Sequence, residues 1–146
     1  MNNDDKGNKQ SLELGGPLEF DGLVLDGRSF RGLALEGAQF CEAHLQRADF
    51  EDADLYWAIF YRANMSYANL KGACLRGADL GEANLTGADL SGADLSCDQM
   101  NGATNLVGAV LIDARLSGAL LEGAIYDDKT IFPPGFDPST HGMRRQ

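Results

Sequence analysis

Three cysteines (Cys41, Cys74, Cys97) and two histidines (His44, His141) are the side chains of this chain best suited to nucleophilic or metal chemistry. A structural metal needs ligands at short fixed spacings, and a catalytic thiol needs a base within reach. No CxxC pair is present, and neither histidine has a partner at metal or triad spacing. Phosphate loops, dinucleotide fingerprints and nucleophile elbows are also missing. The residues therefore predict no catalytic, cofactor-binding or metal site. An odd cysteine count in a chain expected in the cytoplasm points to reduced, structural thiols.

Recognition is the chemistry the sequence does offer. Residues 53–70 read "ADLYWAIFYRANMSYANL", where Leu55, Phe60, Met65 and Leu70 fall five apart, each preceded two places earlier by alanine. Off that beat stand Tyr56, Trp57, Ile59, Tyr61 and Tyr67. Together with Arg76 they have the composition of a protein-interaction hot spot. The other reading is that these aromatics only cover the surface of the fold. A second candidate surface is acidic: residues 78–128 hold nine acids and one base, with Asp79, Asp89 and Asp94 expected to project outward.

Composition narrows the partners. The chain has 146 residues, one domain's length, and 22 Asp+Glu against 12 Lys+Arg. Direct nucleic-acid binding needs an excess of Lys and Arg, so none is expected. No apolar run approaches the roughly 18 residues of a membrane span. The polar start "MNNDDKGNKQ" has no signal-peptide character, which predicts a cytoplasmic protein with a disordered segment over 1–10.

The elements that must position these residues follow from the beat. Large apolar residues recur every fifth position from Phe20 to Met100, then from Leu106 to Tyr126, which reads as 22 repeats with one added residue inside "SCDQMNGATNL". Alanine stands two before the large residue at every unit from Ala38 to Ala93, and glycine stands two after it in 12 of the 22. A period of five is neither helical nor that of a plain strand. One large and one small residue per unit point inward, glycine allows a tight turn, and such units bury a core only when stacked. The columns Arg31, Glu51, Lys71 and Glu42, Arg62, Glu82 alternate in sign at a spacing of 20, which predicts four units per coil. On that spacing Phe20, Phe40 and Phe60 line one side and Phe30 and Phe50 the opposite one. Tyr67 sits over Arg47 and Tyr56 below Arg76, at spacing suited to cation–π contact. Trp57 has Gly37 and Gly77 as vertical neighbours, leaving room for its indole to lie flat. Between Gly37 and Gly72 the turn position is held by Glu42, Arg47, Asp52, Trp57, Arg62 and Tyr67.

The motif in "ADLGEANLTGADLSGADL" (78–95) resembles the pentapeptide-repeat family, written A(D/N)LXX, over roughly residues 18–128. The resemblance implies an all-β fold, a right-handed quadrilateral β-helix of about five and a half 20-residue coils, about 26 Å long at the strand spacing of a sheet. Residues 11–128 would form this solenoid, with 11–17, including Leu12 and Leu14, as an N-terminal cap and 129–146 as a capping tail. The tail, with Ile131, Phe132 and Phe136 around two prolines, also resembles those of cyanobacterial members. The narrow filled interior leaves no room for a substrate, so no enzyme is expected.

A non-catalytic protein-interaction module with an unidentified protein partner is the reading of function that results. The alternative comes from the resemblance: some family members imitate duplex DNA and act on DNA gyrase, and a rigid acidic rod suits such mimicry. Val107, Val110, Ile112, Leu120 and Ile125 are apolar at outward positions, as either a homodimer face on the C-terminal coil or the seat of the folded-back tail. Arg28 and Asp98 occupy alanine places, and bulges are expected to turn both outward.

Overall fold

The computed structural model describes residues 16–146; the segment 1–10 and the cap residues Leu12 and Leu14 lie outside the described residues. Its backbone is a stack of parallel bridges. On the first side Glu19, Gln39, Ile59, Asp79, Asn105 and Ile125 pair in succession, and on the second Val24, His44, Asn64, Asn84, Val110 and Ile131. The third side carries Ser29, Asp49, Asn69, Asp89 and Arg115, and the fourth Ala34, Asp54, Cys74, Asp94 and Leu120. Four sides of five residues give the expected 20-residue layer.

One unit shows why this sequence folds so. In "ADLSG" (88–92) all five amides are satisfied. Ala88 N donates back to Leu85 O (3.0 Å), closing the preceding turn, while Asp89 N reaches Ala68 O (3.0 Å) in the coil below. Leu90 N and Gly92 N donate to Arg115 O (2.8 Å) and Ser117 O (2.9 Å) in the coil above. Ser91 N is left, and Asp89 Oδ1 accepts from it at 3.0 Å. Asp or Asn before the large residue is thus a turn cap made by its own unit. Positive φ at the third turn residue, as at Gly92 (68°), is the pattern of a type II turn.

Inside, the large residues from Leu35 to Leu95 and the alanines from Ala38 to Ala93 are 0–2 % exposed. Phe20, Phe40 and Phe60 stack at 4.7 and 4.9 Å, and Phe30 on Phe50 at 4.8 Å, as their numbers predict. The charge columns are half formed. Arg31 grips Glu51 with two hydrogen bonds (2.8 and 3.0 Å), but Lys71 turns to Asp89 (3.8 Å), and Arg62 pairs with Glu82 (3.4 Å) rather than Glu42.

Four expectations need correction. Met100 is not an inward residue: it is 77 % exposed. The bridge from Asp79 goes to Asn105, and all four sides step 26 at this layer, where the layers before it step 20. Six residues, not one, are added, so the solenoid has one unit fewer than the beat suggests. Asp98 is not turned outward either; it is buried at 4 % exposure within this insertion. Arg28 is exposed as expected, but without a bulge: Arg28 N bonds Leu25 O and Arg28 O accepts from Asp49 N as in regular units. Its place in the first described coil, beside the exposed Leu23, is the physical reason.

The tail closes the other end. Ile131 continues the second side over Val110. Strand β1 (Ile125–Tyr126) pairs in parallel with β2 (Arg144–Arg145), and a 3₁₀ turn (Pro138–His141) lies between Ile131 and β2. Tyr126, Phe132 and Phe136 form an aromatic chain at 5.5 and 5.0 Å against the core, and Met143 is buried. The tail is therefore a cap with strand and turn in it.

Candidate functional site

The aromatic residues sit where the turns place them. Tyr56 and Trp57 form the corner between the fourth and first sides. Ile59 faces outward on the first side, and Tyr61 stands at that side's other corner. Tyr67 lies on the corner between the second and third sides, away from the rest. Trp57, Tyr67 and the four other residues that replace glycine all adopt φ of 57–60°. The left-handed region costs a side-chain-bearing residue about 1–2 kcal/mol, so six in succession is a sustained local cost.

The rings of Trp57, Tyr61 and Tyr67 each lie against a glycine one coil above. A Cβ on Gly77 would stand 2.7 Å from Trp57 Nε1, and one on Gly87 2.5 Å from the Tyr67 ring. The flat seat foreseen for the indole is therefore real, and so is the Arg47–Tyr67 cation–π contact, at 5.2 Å. Arg76 does not stack on Tyr56. It extends toward Asp94 (Nε, 3.9 Å) and Cys97 O (3.4 Å).

What the sequence did not reveal is the role of Asp98. Its Oδ2 accepts from Trp57 Nε1 (2.8 Å) and Tyr56 OH (3.0 Å), while Oδ1 accepts from the amides of Met100 and Gly102. Burial pushes this carboxyl's pKa upward, but the hydrogen bonds, that of Trp57 first, outweigh it and hold the pKa below the usual carboxylate value. Tyr56's phenol is raised in turn by its bond to Asp98. Thr104 was also missed: it fills an alanine slot, fully buried, and its Oγ1 accepts from Gly77 N (3.0 Å) and donates to Leu75 O (3.0 Å) where the insertion interrupts the ladder. The signal for Asp98 was the turn-like string "DQMNG".

On the first side Trp57 (47 % exposed) and Tyr61 (38 %) flank Ile59 and rise over Gly77 and Gly81. Tyr61 OH donates to Glu82 (3.1 Å), a bond that raises its phenol pKa. Both polar edges are thus held by carboxylates, and the ring faces remain partly open.

The other candidates disperse. Asp79, Asp89 and Asp94 lie on the first, third and fourth sides, each capping its own turn: Gly81 N (2.9 Å), Ser91 N (3.0 Å) and Ser96 N (3.0 Å). Of the apolar group, Ile125 lies on the first side beside Arg144, and Val110 on the second beside Ile131. Val107 lines a hollow of about 440 Å³ with Glu82, Gly108, Asp127 and Lys129. Ile112 (41 %) and Leu120 (57 %) stay exposed, Leu120 on the fourth side. The tail therefore covers part of the group, and no single face gathers it. Among the described residues no cluster of three His, Cys, Asp or Glu is placed to hold a metal, and no helix is long and apolar enough to cross a membrane. His44 is on the second side, whereas His141 stacks on Phe136 in the tail (4.5 Å). Burial, and then Asp21, push the Cys41 thiol pKa up, away from thiolate reactivity.

Comparison with known proteins places this architecture. The family description "Pentapeptide repeats" matches in eight copies over residues 25–60, 63–96 and 103–125. A pentapeptide repeat protein from the Arabidopsis thaliana thylakoid lumen is 31% identical, over 88% of this chain and 81% of its own, with a TM-score of 0.53. A pentapeptide repeat protein from Nostoc PCC 7120 is 28% identical over 96% and 94%, TM-score 0.48. HetL, a pentapeptide repeat protein involved in heterocyst differentiation regulation from the cyanobacterium Nostoc sp. strain PCC 7120, is 26% identical over 83% and 65%, TM-score 0.47. No curated protein matches.

Proposed function

The chain belongs to the pentapeptide-repeat family, and from that premise we propose that it is a non-catalytic protein-interaction module, a right-handed four-sided β-helix docking a protein partner on its first side. The observation that carries this reading is the pair Trp57 and Tyr61, exposed at both corners of that side and tied at their polar edges to Asp98 and Glu82. Rings held in place before binding lose little freedom on contact, so more of the contact energy becomes affinity. Ile59 between them supplies the apolar centre, and the filled interior leaves recognition to the outer surface.

Affinity capture from the source cells with wild-type, Ile59→Lys and Tyr61→Ala baits tests it. A partner held by wild-type and lost by both variants supports the reading; equal capture by all three overturns it.

The acid excess in residues 78–128 favours a second reading, mimicry of DNA toward a DNA-binding protein such as DNA gyrase. The dispersal of Asp79, Asp89 and Asp94 over three sides weighs against it. A supercoiling assay decides it: inhibition or protection of gyrase by the protein favours mimicry, and no effect removes it.

A further inference from the structure

The insertion after Ser96 holds the only Asn-Gly pair of the chain, Asn101–Gly102. Asparagine before glycine is chemically exposed, because glycine has no Cβ to obstruct attack by its own backbone nitrogen on the preceding side-chain amide. In that reaction Gly102 N loses its proton and bonds to Asn101 Cγ. The Cγ–Nδ2 bond breaks, and ammonia leaves. Water then opens the resulting succinimide at either carbonyl, giving aspartate or isoaspartate at position 101.

We propose that Asn101 is a deamidation site held latent by the clamp that Trp57 and Tyr56 make on Asp98. Asn101 is exposed, with φ of 64°, beside the solvent-facing Met100. The attacking nitrogen, however, donates its hydrogen to Asp98 Oδ1, and Asp98 N donates to Gly102 O (2.9 Å), closing the loop from both ends. Removing that proton would set a second negative charge against the Asp98 carboxylate, a like-charge arrangement that resists ionisation. Asp98 is itself fixed by Trp57 Nε1 and Tyr56 OH on its other oxygen. Asn64, Asn69, Asn84 and Asn105 differ: each precedes a large apolar residue, and each side chain caps a turn. Once Asn101 reacts, a new charge stands near Asp98, and an isoaspartyl link lengthens the loop backbone. Trp57 then loses a fixed acceptor, so the first side changes with the age of the molecule.

Mass-spectrometric peptide mapping after incubation in mildly alkaline buffer tests this, reading the fraction of Asn101 converted. The arms are the folded protein, the protein in urea, Trp57→Phe, Tyr56→Phe and the control Asn101→Gln. The unfolded chain is expected to convert about tenfold faster than the folded one or more, with both clamp variants in between. Tyr56→Phe keeps the indole and so covers the case in which Trp57→Phe does not fold, judged by circular dichroism. Equal rates in folded and unfolded protein overturn the proposal, as does a folded clamp variant that converts no faster than wild-type.

Discussion

Trp57 carries two roles that the sequence shows as one. Its ring face belongs to the proposed docking surface, and its Nε1 secures Asp98 and with it the insertion. Trp57→Phe keeps a ring but removes the donor, leaving a buried carboxylate with one partner fewer, an expensive arrangement. It should lower the melting temperature by several degrees and open the 98–102 loop to proteolysis, whereas Tyr61→Ala, whose phenol lies at the exposed rim, should change the melting temperature little. The carboxylates predict a pH response. Asp98 and Asp127 are lowered because hydrogen bonds outweigh burial, and Asp137 chiefly by its bond to Ser139. A depressed carboxyl stabilises the fold above its unfolded value of about 4, and that contribution is lost as pH falls through the folded value. Thermal melts should be flat above about pH 5 and move to lower temperature below about pH 4. The acid limb should be shallower in Asp98→Asn than in wild-type, and a limb of equal steepness would contradict this assignment.

At the level of the five-residue unit, most of the structure was legible before any coordinates. The inward alanine, the large residue and the turn glycine were each readable, and the Phe20–Phe40–Phe60 stack follows from numbering alone, whereas the capping by Asp or Asn was not read. What the beat concealed was the insertion, because Met100 falls on a fifth position although the chain has left the ladder there. Burial depends on hydrogen-bond register, and register cannot be read from one apolar residue in a turn-like string. The capping role of Asp89 and Asp94 was hidden for a related reason: composition counts carboxylates, while the unit also uses them as caps. Two predictions belong here. Leu75→Ala, in a fully buried slot, should cost about 2–5 kcal/mol in urea unfolding. Deleting residues 97–102 with Ala103→Gly should restore the 20-residue step, and the variant should keep its β-type circular dichroism. A collapse to random coil would contradict the register assigned to the insertion.

Across the whole molecule the described ladder is covered at its C-terminal end, where open strand edges would invite pairing with other chains. The tail covers two sides of the last coil through Ile131 and β2, and its aromatics seat on the core. Truncation after Asp128 should therefore expose Leu111 and Ala124 and drive association, visible as faster sedimentation than the full chain; a truncated chain that sediments no faster would show the cap to be dispensable. The central claim, that a pre-ordered aromatic side and not the acid charge holds the partner, is tested most directly by the salt dependence of binding to the captured protein. An aromatic contact predicts a dissociation constant nearly unchanged between about 50 and about 200 mM salt. A steep loss of affinity over that range, about 10³-fold or more as for polyanion recognition, would contradict it.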